Sequence, residues 1–131
     1  MLRLLLSVAL GSAVGGVARV VLGNAVQARA GSAFPIGTFV VNVSGSLLLG
    51  FLMRYTLATP SISPEMRAML TTGLCGGYTT FSTFSYETLT LIEAGDYRRA
   101  SLYALSSVVL AVVATLVGVF IAGEILKTRA A

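Results

Sequence analysis

The chain has 131 residues, a length typical of one domain, with 56% hydrophobic residues, 11% charged residues and a net charge of +4. Soluble domains carry about 45–50% apolar and about 25% charged residues, so this composition indicates a membrane protein. The lack of histidine and the single cysteine exclude an intrachain disulfide and a zinc or iron–sulfur ligand set, and the scattered basic residues exclude a nucleic-acid-binding patch.

Four segments are long enough to cross a bilayer, which takes about 20 residues. We predict an all-α integral membrane fold with a single four-helix transmembrane domain over residues 1–131, with spans at 4–26, 34–55, 65–92 and 100–126. The N-terminal stretch resembles a signal peptide, but its apolar pattern continues past Arg19, so we interpret it as a retained first span. Pro35 suits the start of the second helix.

The positive charges give a weak orientation signal. One side of the membrane would hold five basic residues: Arg3, Arg54, Arg67, Lys127 and Arg129. The other side would hold Arg29, Arg98 and Arg99, and Arg19 would lie within the membrane. So small a bias permits insertion in both orientations, although a single orientation stays open. Small residues in "GSAVGG" and "NVSGS" let helices approach closely, which predicts a homo-oligomer.

Polar residues within the first two spans need partners, because each is unfavourable in lipid. Arg19 either extends toward the interface, or provides a fixed positive charge at a pore mouth or beside a buried acid. The Asn42 amide is expected to hydrogen-bond another helix and is also a possible ligand. Ser44 and Ser46 can bond back to their own helix.

The third span contains "GLCGGYTTFSTF", and two adjacent glycines predict a helix broken at Gly76-Gly77. A broken helix is tolerated in a membrane where neighbours, water or ions satisfy the freed backbone groups. Freed carbonyls suit a cation and a half-helix N-terminus suits an anion. Cys75, just before the glycines, is interpreted as a small buried apolar residue.

Aromatic and hydroxyl side chains follow the predicted break. Phe81 and Phe84 project from one helical face, either to pack or to present their electropositive ring edges to an anion. Glu87, one turn further, is either an inward acid or an interfacial one. In the fourth span Tyr103 and Ser107 share a face, and Thr115 lies two turns beyond, so hydroxyl donors form a plausible anion track.

"GGYTTFSTFSYE" in the third of four spans closely resembles the signature of the Fluc (CrcB) fluoride channels. The resemblance extends over nearly the whole chain, through "GGVARVVLG", "FPIGTFVVNVSGSLLLG" and "SLYALSSVVLAVVATLVG". It implies a fluoride-selective passive channel in the cell membrane that exports cytoplasmic fluoride. It also implies an antiparallel, dual-topology homodimer with two pores.

The resemblance further assigns roles to individual residues. A central structural Na⁺ would be held by the backbone carbonyls of Gly76 and Thr79, with no organic cofactor. The fluoride pathway would comprise residues from all four spans: Phe81, Phe84, Asn42, Thr83, Tyr103, Ser107, Glu87, Arg19 and Thr115. Tyr78 departs from the family, which more often has an aliphatic residue there, but it precedes a backbone ligand and leaves coordination intact.

Other function classes remain open from sequence. A small dual-topology multidrug-type transporter would need an embedded acid in its first helix, whereas no acidic residue precedes Glu65. A non-transporting assembly subunit would leave the helix break unexplained. An enzyme is disfavoured because the acids form no close intramembrane pair and Cys75 has no base beside it.

Overall fold

The computed structural model describes residues 1–130, and its secondary structure there is entirely helical, which confirms the predicted all-α fold. The elements in chain order are α1 (Leu2–Ala30), α2 (Ile36–Leu57), α3 (Pro64–Ala68), a π-helical segment (Met69–Cys75), α4 (Gly76–Tyr78), α5 (Phe81–Glu93) and α6 (Tyr97–Ala130).

Three of these helices are long and apolar enough to cross a membrane: Leu2–Ala30, Ile36–Leu57 and Tyr97–Arg129. The rise of 1.5 Å per residue makes α2 about 33 Å long and α6 about 51 Å long. The hydrocarbon core is about 30 Å thick, so α6 must tilt or extend beyond it. The third predicted span, residues 65–92, is divided among α3, the π-helical segment, α4 and α5.

The predicted position of the helix break, Gly76-Gly77, is wrong. Both glycines lie in α4, and Gly76 has ordinary helical angles (φ −65°, ψ −36°). The chain leaves the helix at Thr79 (φ −80°, ψ 159°) and Thr80 (φ −149°, ψ 113°). Two adjacent β-branched residues favour the extended conformation, and the Thr80 hydroxyl caps α5 by accepting a hydrogen bond from Thr83 N at 3.2 Å.

Two glycines of the third span, Gly73 and Gly77, serve helix packing instead. A Cβ atom added to Gly77 would lie 2.6 Å from Ser12 O of α1, and one added to Gly73 would lie 2.8 Å from Val8 O. From the opposite side, a Cβ on Gly15 would lie 2.8 Å from Tyr78 N. Glycines on both helices therefore let α1 cross the third span with the backbones in contact, as small residues do in membrane bundles.

The helix after the break, α5, is poorly covered by the rest of the chain. None of its 13 residues is buried, and Phe81 and Tyr86 are 77% and 72% exposed. Its exposed residues also include the hydroxyl-bearing Ser82, Thr83 and Ser85. One chain therefore leaves a mixed aromatic and polar face of α5 without packing partners.

Candidate ion pathway at the helix break

Asn42 of α2 holds the break by both ends of its amide. Its Nδ2 donates to Thr80 O at 3.0 Å, and its Oδ1 accepts from Thr80 N at 2.7 Å. Thr80 is a buried residue, so both backbone groups would otherwise be unpaired away from water. The expectation that Asn42 bonds another helix is thereby confirmed, and one Nδ2–H remains free for a further acceptor.

Arg19 of α1 also points at the break. Its Nη1 lies 3.5 Å from Thr79 O, at the long limit of a hydrogen bond, while Thr79 N donates to Cys75 O at 2.9 Å. Within residues 1–130 the ion pairs are Arg99 with Asp96 and Lys127 with Glu124, so Arg19 makes no ion pair there. Of the alternatives for Arg19, pairing with a buried acid is therefore not observed.

The carbonyls predicted to bind sodium have different surroundings. In a continuous helix Thr80 N would donate to Gly76 O, but here it donates to Asn42, which deprives that carbonyl of its helical partner. Thr79 O has Arg19 beside it and retains a second lone pair. No cluster of three or more His, Cys, Asp or Glu side chains lies within the described part of the chain.

A cavity of about 230 Å³ lies directly beside the break. It is lined by residues from α2, the break, α5 and α6: Asn42, Ser46, Leu49, Thr79, Thr80, Phe81, Phe84, Ser107, Val108 and Ala111. The Ser107 hydroxyl is buried and has no hydrogen-bond partner among the described residues. A buried hydroxyl without a partner is unfavourable unless a ligand or water completes it.

A continuous series of aromatic side chains begins at this cavity with Phe81 and Phe84. The Phe81 and Phe84 ring centroids lie 5.5 Å apart with planes at 45°, and Phe84 lies 5.2 Å from the Tyr103 ring at 53°. Phe34, before α2, meets Tyr103 edge-on at 5.5 Å and 80°. Phe81 and Phe84 also line the cavity, so their rings border the space that a ligand would occupy.

Glu87 is an inward acid held by two hydroxyl groups. Tyr103 Oη donates to its Oε2 at 2.7 Å, and Thr38 Oγ1 donates to its Oε1 at 2.8 Å. Tyr103 is fully buried. Glu87 also lines a second cavity of about 510 Å³ with the other polar residues of this end: Arg19, Asn24, Gln27, Thr38, Thr80, Thr83, Tyr86 and Thr90.

The hydroxyl groups of Thr115 and Ser44 form hydrogen bonds that connect helices. Thr115 Oγ1 donates to Ala111 O at 3.0 Å and to Ser46 O at 3.3 Å, and Thr115 lines neither cavity. Ser44 bonds back to Val40 O at 2.7 Å, as predicted, and its Oγ is also 3.0 Å from Tyr78 Oη. The Tyr78 hydroxyl therefore attaches the break to α2 at a second point.

Sequence reasoning missed three residues here. Thr38 was unremarkable at the start of an apolar helix, and Thr80 was treated only as part of the signature. Gln27 lies just beyond the predicted end of the first span, yet it forms three hydrogen bonds with the loop and with α2. A lone amide at the end of an apolar run is the signal that could have identified it.

Most of the chain is similar to known proteins. A family model described as "CrcB-like protein, Camphor Resistance (CrcB)" matches residues 6–119. A fluoride-specific ion channel FluC of Geobacter sulfurreducens is 49% identical over 121 residues, covering 92% of this chain and 98% of the relative. Proteins of the same name from Aquifex aeolicus and Coxiella burnetii (Dugway) are 42% and 45% identical, covering 90% and 88% of this chain and 94% of each relative.

Proposed function

The chain is a multi-pass membrane protein of the CrcB family, and on that premise we propose that it is a fluoride-selective passive channel that lets cytoplasmic fluoride leave the cell. Its relatives bear the name of fluoride-specific channels at 42–49% identity. The structural observation that carries the proposal is the buried, unpartnered Ser107 hydroxyl at a cavity shared with Asn42, Phe81 and Phe84.

The chemistry of that cavity suits a small, strongly hydrated anion. The Ser107 hydroxyl, the remaining Nδ2–H of Asn42 and the edges of the two phenylalanine rings are donors that replace water. None carries a full positive charge, which would retain the ion rather than release it. Arg19 lines the larger cavity at the adjacent end, where a cation raises the local concentration of anions.

The larger cavity continues the proposed route past Thr83 and Glu87, and the buried Tyr103 joins it through its hydrogen bond to Glu87. Glu87 faces two hydroxyl donors, so its charge is spread by hydrogen bonds rather than opposed by a cation. An anion moving past Glu87 would compete with its carboxylate for the hydrogen bonds donated by the Thr38 and Tyr103 hydroxyls. Thr115, which bonds to backbone oxygens between α2 and α6, is the least supported member of the proposed pathway.

We further propose that two copies pair in opposite orientations. The uncovered face of α5, with Phe81 77% exposed and neighbouring hydroxyls, needs either a second copy or water within the membrane. A second chain would close the open side of the 230 Å³ cavity at Phe81. The small difference in positive charge between the two sides of the membrane is compatible with insertion both ways.

A structural Na⁺ at the centre of such a pair is the remaining part of the proposal. Gly76 O lacks its helical donor and Thr79 O has a spare lone pair, so each chain offers two hard oxygen atoms. Two chains would supply four. The ion would hold the two breaks together and would not be transported.

Purified protein in liposomes tests the proposed function. Fluoride should leave much faster than chloride down its own gradient, without a proton or sodium gradient. Equal fluxes of the two anions, or strict dependence on a counter-ion gradient, would refute the channel. Tagging the N-terminus and asking from which side of the membrane it is cleaved tests dual topology separately.

A further inference from the structure

The side-chain amide of Gln27, near the end of α1, forms three hydrogen bonds. Its Nε2 donates to Ser32 O at 2.7 Å and to Phe34 O at 3.2 Å, and its Oε1 accepts from Gly37 N at 3.0 Å. One side chain therefore connects α1, the loop of residues 31–35 and the first turn of α2.

Local bonds at the start of α2 are Phe34 N to Ser32 Oγ at 3.0 Å and Ile36 N to Phe34 O at 2.8 Å, and neither reaches Gly37 N. The N-cap of α2 is Pro35, which makes no side-chain capping bond, and no acidic residue lies in the first turn. The first amides of a helix have no intrahelical acceptor, so a distant side chain has to supply one. For Gly37 N that acceptor is Gln27, and the close approach of the two helices at Gly23 and Gly37 brings it within reach.

Two residues next to the bonds of Gln27, Thr38 and Phe34, are connected to Glu87. Thr38 follows Gly37 directly and donates its hydroxyl to Glu87 Oε1. Phe34, whose carbonyl Gln27 also binds, packs its ring edge-on against Tyr103, and Tyr103 donates to the other oxygen of Glu87. Both hydroxyl contacts of Glu87 thus depend on the loop and turn that Gln27 holds.

We propose that Gln27 is a positioning residue of the pathway, which sets the hydrogen bonds of Glu87 through Thr38 and through Phe34 and Tyr103. This role rests on the proposed channel function, but the contact it predicts exists in the protein at rest. Gln27 lines the larger cavity, but in this role it acts on Thr38 and Phe34 and not on the ion itself.

The carboxyl vibration of Glu87 provides a direct measurement, independent of fluoride. Infrared spectra of protein labelled with ¹³C-glutamate in lipid vesicles identify this band by its loss in Glu87→Gln. We expect Gln27→Met to shift the band in the direction that Thr38→Val shifts it. Asn24→Met is the matched control, because Asn24 is an amide on the same helix and cavity but makes no side-chain hydrogen bond within the described residues; it should leave the band in place.

Flux measurements test the same connection by additivity. We expect Gln27→Met and Thr38→Val each to lower fluoride flux about fivefold, and the double variant to be no more than about twofold below the slower single variant, because they act on one contact. Gln27→Met combined with Ser107→Ala should instead multiply the two effects. A shifted band in a protein without fluoride flux would refute the channel and leave the positioning role intact.

An unshifted Glu87 band in Gln27→Met, or multiplicative losses with Thr38→Val, would overturn the positioning role. If Gln27→Met does not fold, Phe34→Leu provides the second test, since it removes the ring contact with Tyr103 and keeps every bond of Gln27. It should shift the Glu87 band, and an unchanged band in that variant would also refute the inference.

Discussion

Replacing Asn42 with alanine tests whether this side chain maintains the helix break. The substitution removes both hydrogen bonds to Thr80 and leaves one backbone N–H and one backbone C=O unpaired in a residue that is 7% exposed. We therefore expect the conformation at Thr80 to open far more often than in the unmodified protein, with the rest of the bundle retained.

The size of the effect follows from two limits. An unpaired buried backbone group costs about 1–3 kcal/mol in soluble proteins, which gives about 2–6 kcal/mol for the pair. Hydrogen bonds between membrane helices contribute on average only about 0.6 kcal/mol, because the same polar groups find other partners in the state that is unfolded within the membrane. The extended backbone of Thr80 has no partner in the preceding helical turn, so we expect about 2 kcal/mol, or about thirtyfold in the opening equilibrium.

Amide hydrogen exchange at Thr80, measured by NMR on protein in nanodiscs, reports this equilibrium directly. Ser46→Ala is the matched control, since Ser46 lies one turn along the same helix, lines the same cavity and forms no side-chain hydrogen bond in the described chain. Exchange at Thr80 that is equally slow in Asn42→Ala and Ser46→Ala would refute the assignment of Asn42 to the break.

Two further predictions follow from the aromatic series and from the helix crossing. Phe81→Ile or Phe84→Ile should cut fluoride flux at least tenfold while the dimer persists on gel filtration, because an aliphatic group lacks an electropositive edge; unchanged flux in both variants would exclude the role of the ring edges. Gly15→Ala should destabilise the bundle by about 1–3 kcal/mol in a thermal or denaturant titration, because its Cβ would lie 2.8 Å from Tyr78 N, whereas Gly16→Ala meets nothing within 4 Å and should be neutral or slightly stabilising. Equal stability of these two alanine variants would contradict the close crossing.

The helix break illustrates what composition and pattern could predict and what they could not. Hydropathy and length located the apolar segments, and the two adjacent glycines indicated that the third span could not be one regular helix. Intrinsic propensity then placed the break at Gly76-Gly77, because glycine destabilises a helix interior. A glycine that breaks a helix and a glycine that admits a neighbouring backbone are indistinguishable without knowing where α1 crosses.

Partners of polar side chains were predictable by type and not by identity. Asn42 had to bond another element, since an amide is unfavourable in lipid, but its position beside Thr80 depends on how α2 docks on the third span. The spacing of Ser107 and Thr115 suggested a common stripe on α6. Thr115 instead bonds to backbone oxygens between α2 and α6, while Ser107 faces the cavity at the break.

The satisfied and unsatisfied polar groups near the break together indicate where an ion would be accommodated. The backbone groups of Thr79 and Thr80 all have partners within one chain, supplied by Asn42, Arg19 and Cys75. The backbone groups of these two residues are therefore paired without an ion, whereas Gly76 O lacks its helical donor. The Ser107 hydroxyl also stays unpaired, and the α5 face at Phe81 stays uncovered. Both border the 230 Å³ cavity, so the same small volume would receive the anion and meet the second chain.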